Sequence, residues 1–267
     1  MAPEIGATEP SAQPLGGHLD ELRRRLVRLL AATLLAAILA FAFAPALFDI
    51  LLHPYHQFLR GLNAAIGGAM LQSLEPAETL KMSVWLSFLI AGVLVFPYAC
   101  FEAWQFLRPG LKAGERRLVL ILLAGGTVLF CGGVGFAYCL AVPMTLGFFW
   151  TYSLRLGITP AWTVAHYFGF VLGTLTAFGA AFELPILLVG LARFGIVRPR
   201  MLRTGRRYAY FLIAVAAAVL TPPDVVSMVL MTVPLLGLYE LSVLGAALVV
   251  RPKENDHGSH EGAAHSG

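Results

Sequence analysis

The chain has 267 residues, 58% of them hydrophobic and 13% charged, against roughly 45–50% and 25% for an ordinary soluble domain. Apolar runs recur through most of its length, several beyond the ~18 residues that mark a membrane-spanning helix, and this excludes a soluble enzyme. The formal charge of +4 sits in short cationic clusters between those runs, the pattern of cytoplasmic membrane loops rather than of a nucleic-acid surface.

Residues 1–17 are rich in Pro, Gly and Ala and lack apolar periodicity, so they are expected to be a disordered cytoplasmic tail, as is 251–267 with His257, His260 and His265. Residues 18–28 (HLDELRRRLVR) put Leu19, Leu22 and Leu26 on one helical face, an amphipathic turn on the cytoplasmic surface. Asp20 and Glu21 stand four residues before Arg24 and Arg25, so local pairing is favoured on spacing alone.

Six apolar spans follow, at about 26–44, 82–107, 118–142, 166–192, 208–221 and 225–250. Backbone amides in hydrocarbon need internal partners, and the alternation of a β-barrel is missing, so the fold class is an all-α membrane bundle. Of the 19 basic residues, only Arg60, Lys81 and Arg155 fall on the side opposite the arginine-rich connections, which puts both termini in the cytoplasm. Segments 45–81 and 143–165 then read as outer loops, with Phe148, Phe149, Trp150, Tyr152 and Trp162 at the headgroup boundary. Ala42-Phe43-Ala44 resembles a small-x-small cleavage site, but the 19-residue run before it exceeds the roughly 7–15 residues of a signal h-region, so the first span is expected to stay. The fifth span has 14 residues before Pro222 and Pro223, about 21 Å of rise against a ~30 Å hydrocarbon core, so helices five and six form a short hairpin.

Two polar features stand out. The second connection, FEAWQFLRPGLKAGERR (101–117), carries Phe106 and Glu115 among cations; carboxylates with an aromatic on one membrane face suit a ligand with guanidinium groups and an apolar stretch. Glu115 also stands where a carboxylate complements a helix dipole. In the fourth span Gly169, Gly173, Thr176, Ala180 and Glu183 share one face. A carboxyl near mid-membrane costs on the order of 2.5–3.5 kcal/mol, which calls for a packing partner, a bound partner protein, a substrate or a proton. Pro185 is expected to kink that helix. His53 and His56 flank Pro54 without a nearby acid pair, no metal or nucleotide motif is present, and no catalytic constellation stands out, so neither cofactor nor metal nor enzymatic activity is expected.

HLDELRRRL (18–26), the block from Trp104 through PGLKAGERR to Arg117, FAY with Pro143, AFGAAFELP (177–185) and LTPPDVVS with LYE (220–240) together resemble TatC, the polytopic receptor of the twin-arginine protein translocase. The resemblance covers about residues 18–250 and implies a concave, glove-like bundle. It implies that Glu21, Phe106 and Glu115 recognise the arginine pair of a signal peptide, and that Glu183, with Thr176 on the same stripe, faces a concave surface that meets partners. Tyr138, Pro143 and Asp224 fall on family motif positions outside that site. Met228 stands where the family often has Gln, and Phe101-Glu102 where a Tyr-Gln pair is common.

The function so implied is a non-enzymatic receptor and core subunit in the bacterial inner membrane. It would bind signal peptides of folded preproteins, gather single-span partners of the TatA and TatB types into an oligomer among membrane lipid, use the proton-motive force, and take neither a cofactor nor nucleic acid. The alternative from another class is a proton-coupled small-solute transporter using Glu183, which predicts inverted repeats that the two halves do not display.

Overall fold

The structure, a computed structural model, describes residues 15–61, 71–108, 113–220 and 225–249. These are helical apart from short connections and one parallel bridge between Gln72 and Thr163. The expected tails lie outside them except for 15–17.

Helix α1 (Leu15–Ala42) is continuous through both the amphipathic turn and the first span. No Gly or Pro interrupts it between His18 and Ala42, so the turn expected on the surface is the first part of the spanning helix. Helix α1 packs mainly on α3 (Glu78–Leu107). Helix α4 (Ala113–Phe136) runs through a π-helical turn, Ala137–Ala141, into α5 (Val142–Arg155).

The expected end of the third span at 142 is therefore corrected. Pro143 lies in the first turn of α5, directly after the π turn, whose wider spacing accommodates a residue that cannot donate an N–H and carries the helix past it. The outer loop expected at 143–165 shrinks to 156–163. Trp150 moves from the expected headgroup belt to the core: it is 0% exposed and meets Trp162 edge-on at 5.6 Å. Tyr152 remains exposed.

Residues 45–81 are also not simply a loop, because α2 (Ala44–Gly61) occupies the first part. Pro54 disguised it. A proline at position 54 leaves the carbonyl of residue 50 without its helical donor, and the hydroxyl of Tyr138 donates to Ile50 O at 2.6 Å. One residue on, the Tyr167 hydroxyl donates to Leu51 O at 2.7 Å. Leu51 and Tyr55 are buried, with Leu47, Phe48 and Leu52 packed beside them, so one face of α2 covers the bundle. Burial pushes the Tyr55 phenol above its ordinary pKa.

The fourth span divides into α6 (Val164–Phe182) and α7 (Leu184–Arg193), broken at Glu183 as Pro185 led one to expect. Helix α6 is the centre of the core, burying Tyr167, Phe168, Val171, Leu172, Leu175 and Phe178. Lipid supplies no hydrophobic drive between helices, so close approach decides the packing. Glycine permits it: a Cβ on Gly133 of α4 would stand 2.6 Å from Phe178 O, and one on Gly179 of α6 would stand 3.0 Å from the Phe130 ring. A short α8 (Pro199–Thr204) precedes α9 (Arg206–Leu220) and α10 (Val225–Val249), and α10 packs chiefly on α7.

Among the described residues five helical stretches are long and apolar enough to cross a membrane, and α9 is shorter than these at 15 residues. At 1.5 Å per residue it rises about 22 Å.

Candidate functional site

The helix directions sort the polar groups onto two ends. The start of α1, the end of α3, the start of α4 and the α9–α10 pair carry the arginines, and the opposite end holds the entries into α3 and α6.

At the basic end a guanidinium sits between two carboxylates. Arg25 donates from Nε to Glu21 Oε1 at 3.1 Å, with Nη2 on the same oxygen. Its Nη1 donates to Glu102 Oε2 at 2.8 Å, to Gln105 Oε1 at 3.2 Å and to Glu102 O at 3.5 Å. The other oxygen of Glu102 accepts from the Tyr98 hydroxyl at 2.6 Å and lies 3.3 Å from Arg28.

Exposure separates the two acids. The Glu102 side chain is 6% exposed and engaged on both oxygens, while that of Glu21 is 33% exposed and bonded through Oε1 alone among the described residues. The Glu21–Arg25 pairing expected from spacing is thus present, whereas Asp20 makes no ion pair among the described residues.

Phe106 follows Gln105 on α3, half-buried at the same end. Glu115 is in the first turn of α4, at this end; its side chain lies outside the described ones. Asp224 lies outside the described residues altogether.

Glu183 belongs to a different place, the α6–α7 break. It is half-buried, and its Oε1 is enclosed without a hydrogen-bond partner among the described residues. Gly126 of α4 faces it so closely that a Cβ there would stand 2.9 Å from Glu183 Oε2. Gly173, Thr176 and Ala180 form an exposed strip leading to it, with the Thr176 hydroxyl satisfied by Leu172 O at 2.8 Å. Met228 of α10 is half-buried against the core.

The opposite end is clasped by a carboxylate that sequence patterning overlooked. Glu78 accepts from the backbone amides of Leu74 at 2.7 Å and Glu75 at 3.4 Å, from the Ser73 hydroxyl at 3.2 Å, and from Ala165 N at the start of α6. Gln72 exchanges backbone bonds with Trp162 and Val164 beside it. Thr163 caps α6, its hydroxyl accepting from His166 N at 3.2 Å. The legible signal was an acid in the first turn of a span behind SLEP, the place where a helix start needs an acceptor. Glu102 was legible too, as a carboxylate inside an apolar run four residues after Tyr98. Among the described residues no group of His, Cys, Asp and Glu could hold a metal ion.

Comparison with known proteins fits this geometry. The model of the family Sec-independent protein translocase protein (TatC) matches residues 17–234. The TatC of Listeria innocua is 33% identical over 242 residues, covering 91% of this chain and 94% of the relative. That of Desulforapulum autotrophicum is 36% identical over 249 residues, covering 93% and 89%. A crystal structure of the twin arginine translocase receptor TatC superposes with a TM-score of 0.73 at 34% identity, over 88% of this chain and 100% of that one. Membrane-length helices, a shared fold and likeness along most of the sequence lead to one conclusion: the chain belongs to the TatC family of Sec-independent protein translocase proteins, and is a multi-pass protein of the bacterial inner membrane that serves protein transport.

Proposed function

We propose that the chain is the receptor and core subunit of a twin-arginine translocase. It spans the membrane six times with both termini cytoplasmic, the short α9 making the fifth crossing. Its basic end binds the twin-arginine signal peptides of folded preproteins, with Glu21 and Glu115 accepting from the guanidinium groups and Phe106 packing on the apolar part. Charge-assisted bonds of this kind contribute roughly 1.5–3 kcal/mol each, and Arg's planar fork matches a carboxylate better than a lysine ammonium does.

The observation that supports this reading is the unequal use of the two acids: among the described residues Glu21 is bonded through one oxygen alone and keeps a third of its side chain in solvent, at the end of the bundle that also holds Phe106, while Glu102 is engaged on both oxygens. From there the apolar part of the signal runs along the exposed Gly173–Thr176–Ala180 strip towards Glu183, where single-span partners of the TatA and TatB types assemble and the proton-motive force is used. The small side chains of that strip allow a second helix to approach closely.

Glu115→Gln removes one charge and leaves the backbone unchanged, so it should abolish export of a twin-arginine reporter while the protein remains at normal level in the membrane. Photocrosslinks from positions 176 and 180 should reach the apolar core of a stalled signal. Normal export by the variant removes Glu115 from the site, and absence of adducts at both positions removes the route.

A further inference from the structure

The mechanism just proposed uses Glu21, Phe106 and Glu115 and leaves Arg25, Glu102 and Tyr98 without a part. Yet these side chains form the densest polar cluster among the described residues, and they touch the proposed site directly through Glu21. An arginine so close to a carboxylate meant for arginine could act in two opposite ways. It could compete with the ligand for Glu21, or it could hold Glu21 in place for the ligand.

The bond pattern separates these. Both Nη1 contacts of Arg25 to side chains go to α3, to Glu102 Oε2 and Gln105 Oε1, and the Glu102 carbonyl adds a third acceptor. Arg25 is 12% exposed in its side chain and is held from both sides, by Glu21 of its own helix through Nε and Nη2 and by Glu102 and Gln105 of α3 through Nη1. Glu102 is in turn set by Tyr98 and Arg28 on its other oxygen. Glu21 accepts Arg25 through Oε1 alone among the described residues, which ties that oxygen to a guanidinium anchored on α3 and leaves Oε2 for another donor. The four groups Glu21, Glu102, Arg25 and Arg28 sum to zero charge, so Glu102 offsets a cation that would otherwise add to the repulsion of an incoming guanidinium.

Resting on the signal-peptide reading of Glu21, we propose that Glu102 is a positioning residue of the site: through Arg25 it orients the Glu21 carboxylate and cancels the charge of Arg25, and so sets the preference for arginine over lysine. A guanidinium needs both its fork geometry and an aligned acceptor for selectivity, while an ammonium needs only a nearby charge. Loss of the alignment therefore costs arginine ligands more than lysine ligands. Glu102→Gln keeps an acceptor for Nη1 but leaves the Arg25 charge to be met by Glu21 without Glu102; Arg25→Lys keeps the charge and removes the fork that spans both acids.

The test measures the dissociation constants of a twin-arginine signal peptide and of its twin-lysine counterpart on full-length protein purified in detergent, at low salt, for wild type, Glu21→Gln, Glu102→Gln, Arg25→Lys and Arg25→Gln, each checked for an unchanged melting temperature. The expected result for Glu102→Gln is about tenfold weaker arginine-peptide binding, near the worth of one charge-assisted hydrogen bond, with a reduced arginine-to-lysine ratio. Arg25→Lys should lower the ratio as well, which keeps the proposal testable if Glu102→Gln proves unstable. Tighter binding by Arg25→Gln would show Arg25 to be a competitor and overturn the proposal, as would an unchanged ratio in both Glu102→Gln and Arg25→Lys while Glu21→Gln binds weakly. Binding that survives Glu21→Gln would instead remove the reading on which the proposal stands.

Discussion

The two ends of the bundle are fastened by different chemistry. At one end Glu78, Tyr138 and Tyr167 bind backbone: a carboxylate takes the amides of Leu74, Glu75 and Ala165, and two phenols take the carbonyls of Ile50 and Leu51. At the other end side chains bind mostly side chains, with Arg25 between Glu21 and Glu102, and Arg206 and Tyr210 on Glu240, while the buried Tyr239 phenol there takes Leu202 O as the first end's phenols do. Backbone acceptors and donors have fixed positions and no competitor among solutes. Ion pairs that reach the surface, as those of Glu21 and of Arg206 with Glu240 do, exchange with solvent, salt and other ions. One end is suited to hold the helices in register and the other to trade partners.

The sharpest way to break this contrast is Glu78→Ala. It strands the amides of Leu74 and Ala165 and frees the segment before α3 from the start of α6, so the melting temperature in detergent should fall further than for any other single change at either end. Proteolysis within 71–78 should rise in parallel. A variant as stable as wild type would mean that the opposite end is not clasped by this carboxylate.

A smaller effect is expected of Tyr138→Phe and Tyr167→Phe, each deleting one hydrogen bond worth about 1 kcal/mol. Tyr138→Phe also leaves Ile50 O without the donor that Pro54 denies it, and so should loosen α2 selectively, read as faster hydrogen exchange in residues 47–55. Exchange spread evenly over the bundle would argue against a local clamp. The smallest change in stability is expected from salt. The screening length drops from about 10 Å at 0.1 M to about 3 Å at 1 M, so high salt should weaken peptide binding severalfold at the basic end and leave the melting temperature nearly unchanged.

What was legible in the sequence divides along the same line. Helical class, a short helix before Pro222 and the break before Pro185 follow from hydropathy and proline, which act locally. Helix α2 and the continuation into α5 were not legible, because hydropathy put outer loops at 45–81 and 143–165 and a proline stands inside each helix. What accommodates the prolines is remote in the chain or unusual in the backbone: for Pro54 a hydroxyl 88 residues from the Ile50 carbonyl that it satisfies, and for Pro143 a π turn. Trp150 was misplaced for a related reason, since an aromatic near a span end suits headgroups or a core equally until Trp162 is seen to cover it. At the site, i,i+4 spacing foretold Glu21 with Arg25 but could not show that Glu102, 77 residues from Arg25, holds the same guanidinium.

The central claim is that Glu21 is an acceptor for ligand arginines, and titration of a twin-arginine signal peptide into purified wild type and Glu21→Gln tests it most directly. The account predicts that wild type binds the arginine peptide more tightly than its lysine counterpart, and that the variant loses about tenfold or more in affinity together with that preference. Equal affinity of the two proteins for the arginine peptide, at equal stability, would contradict it.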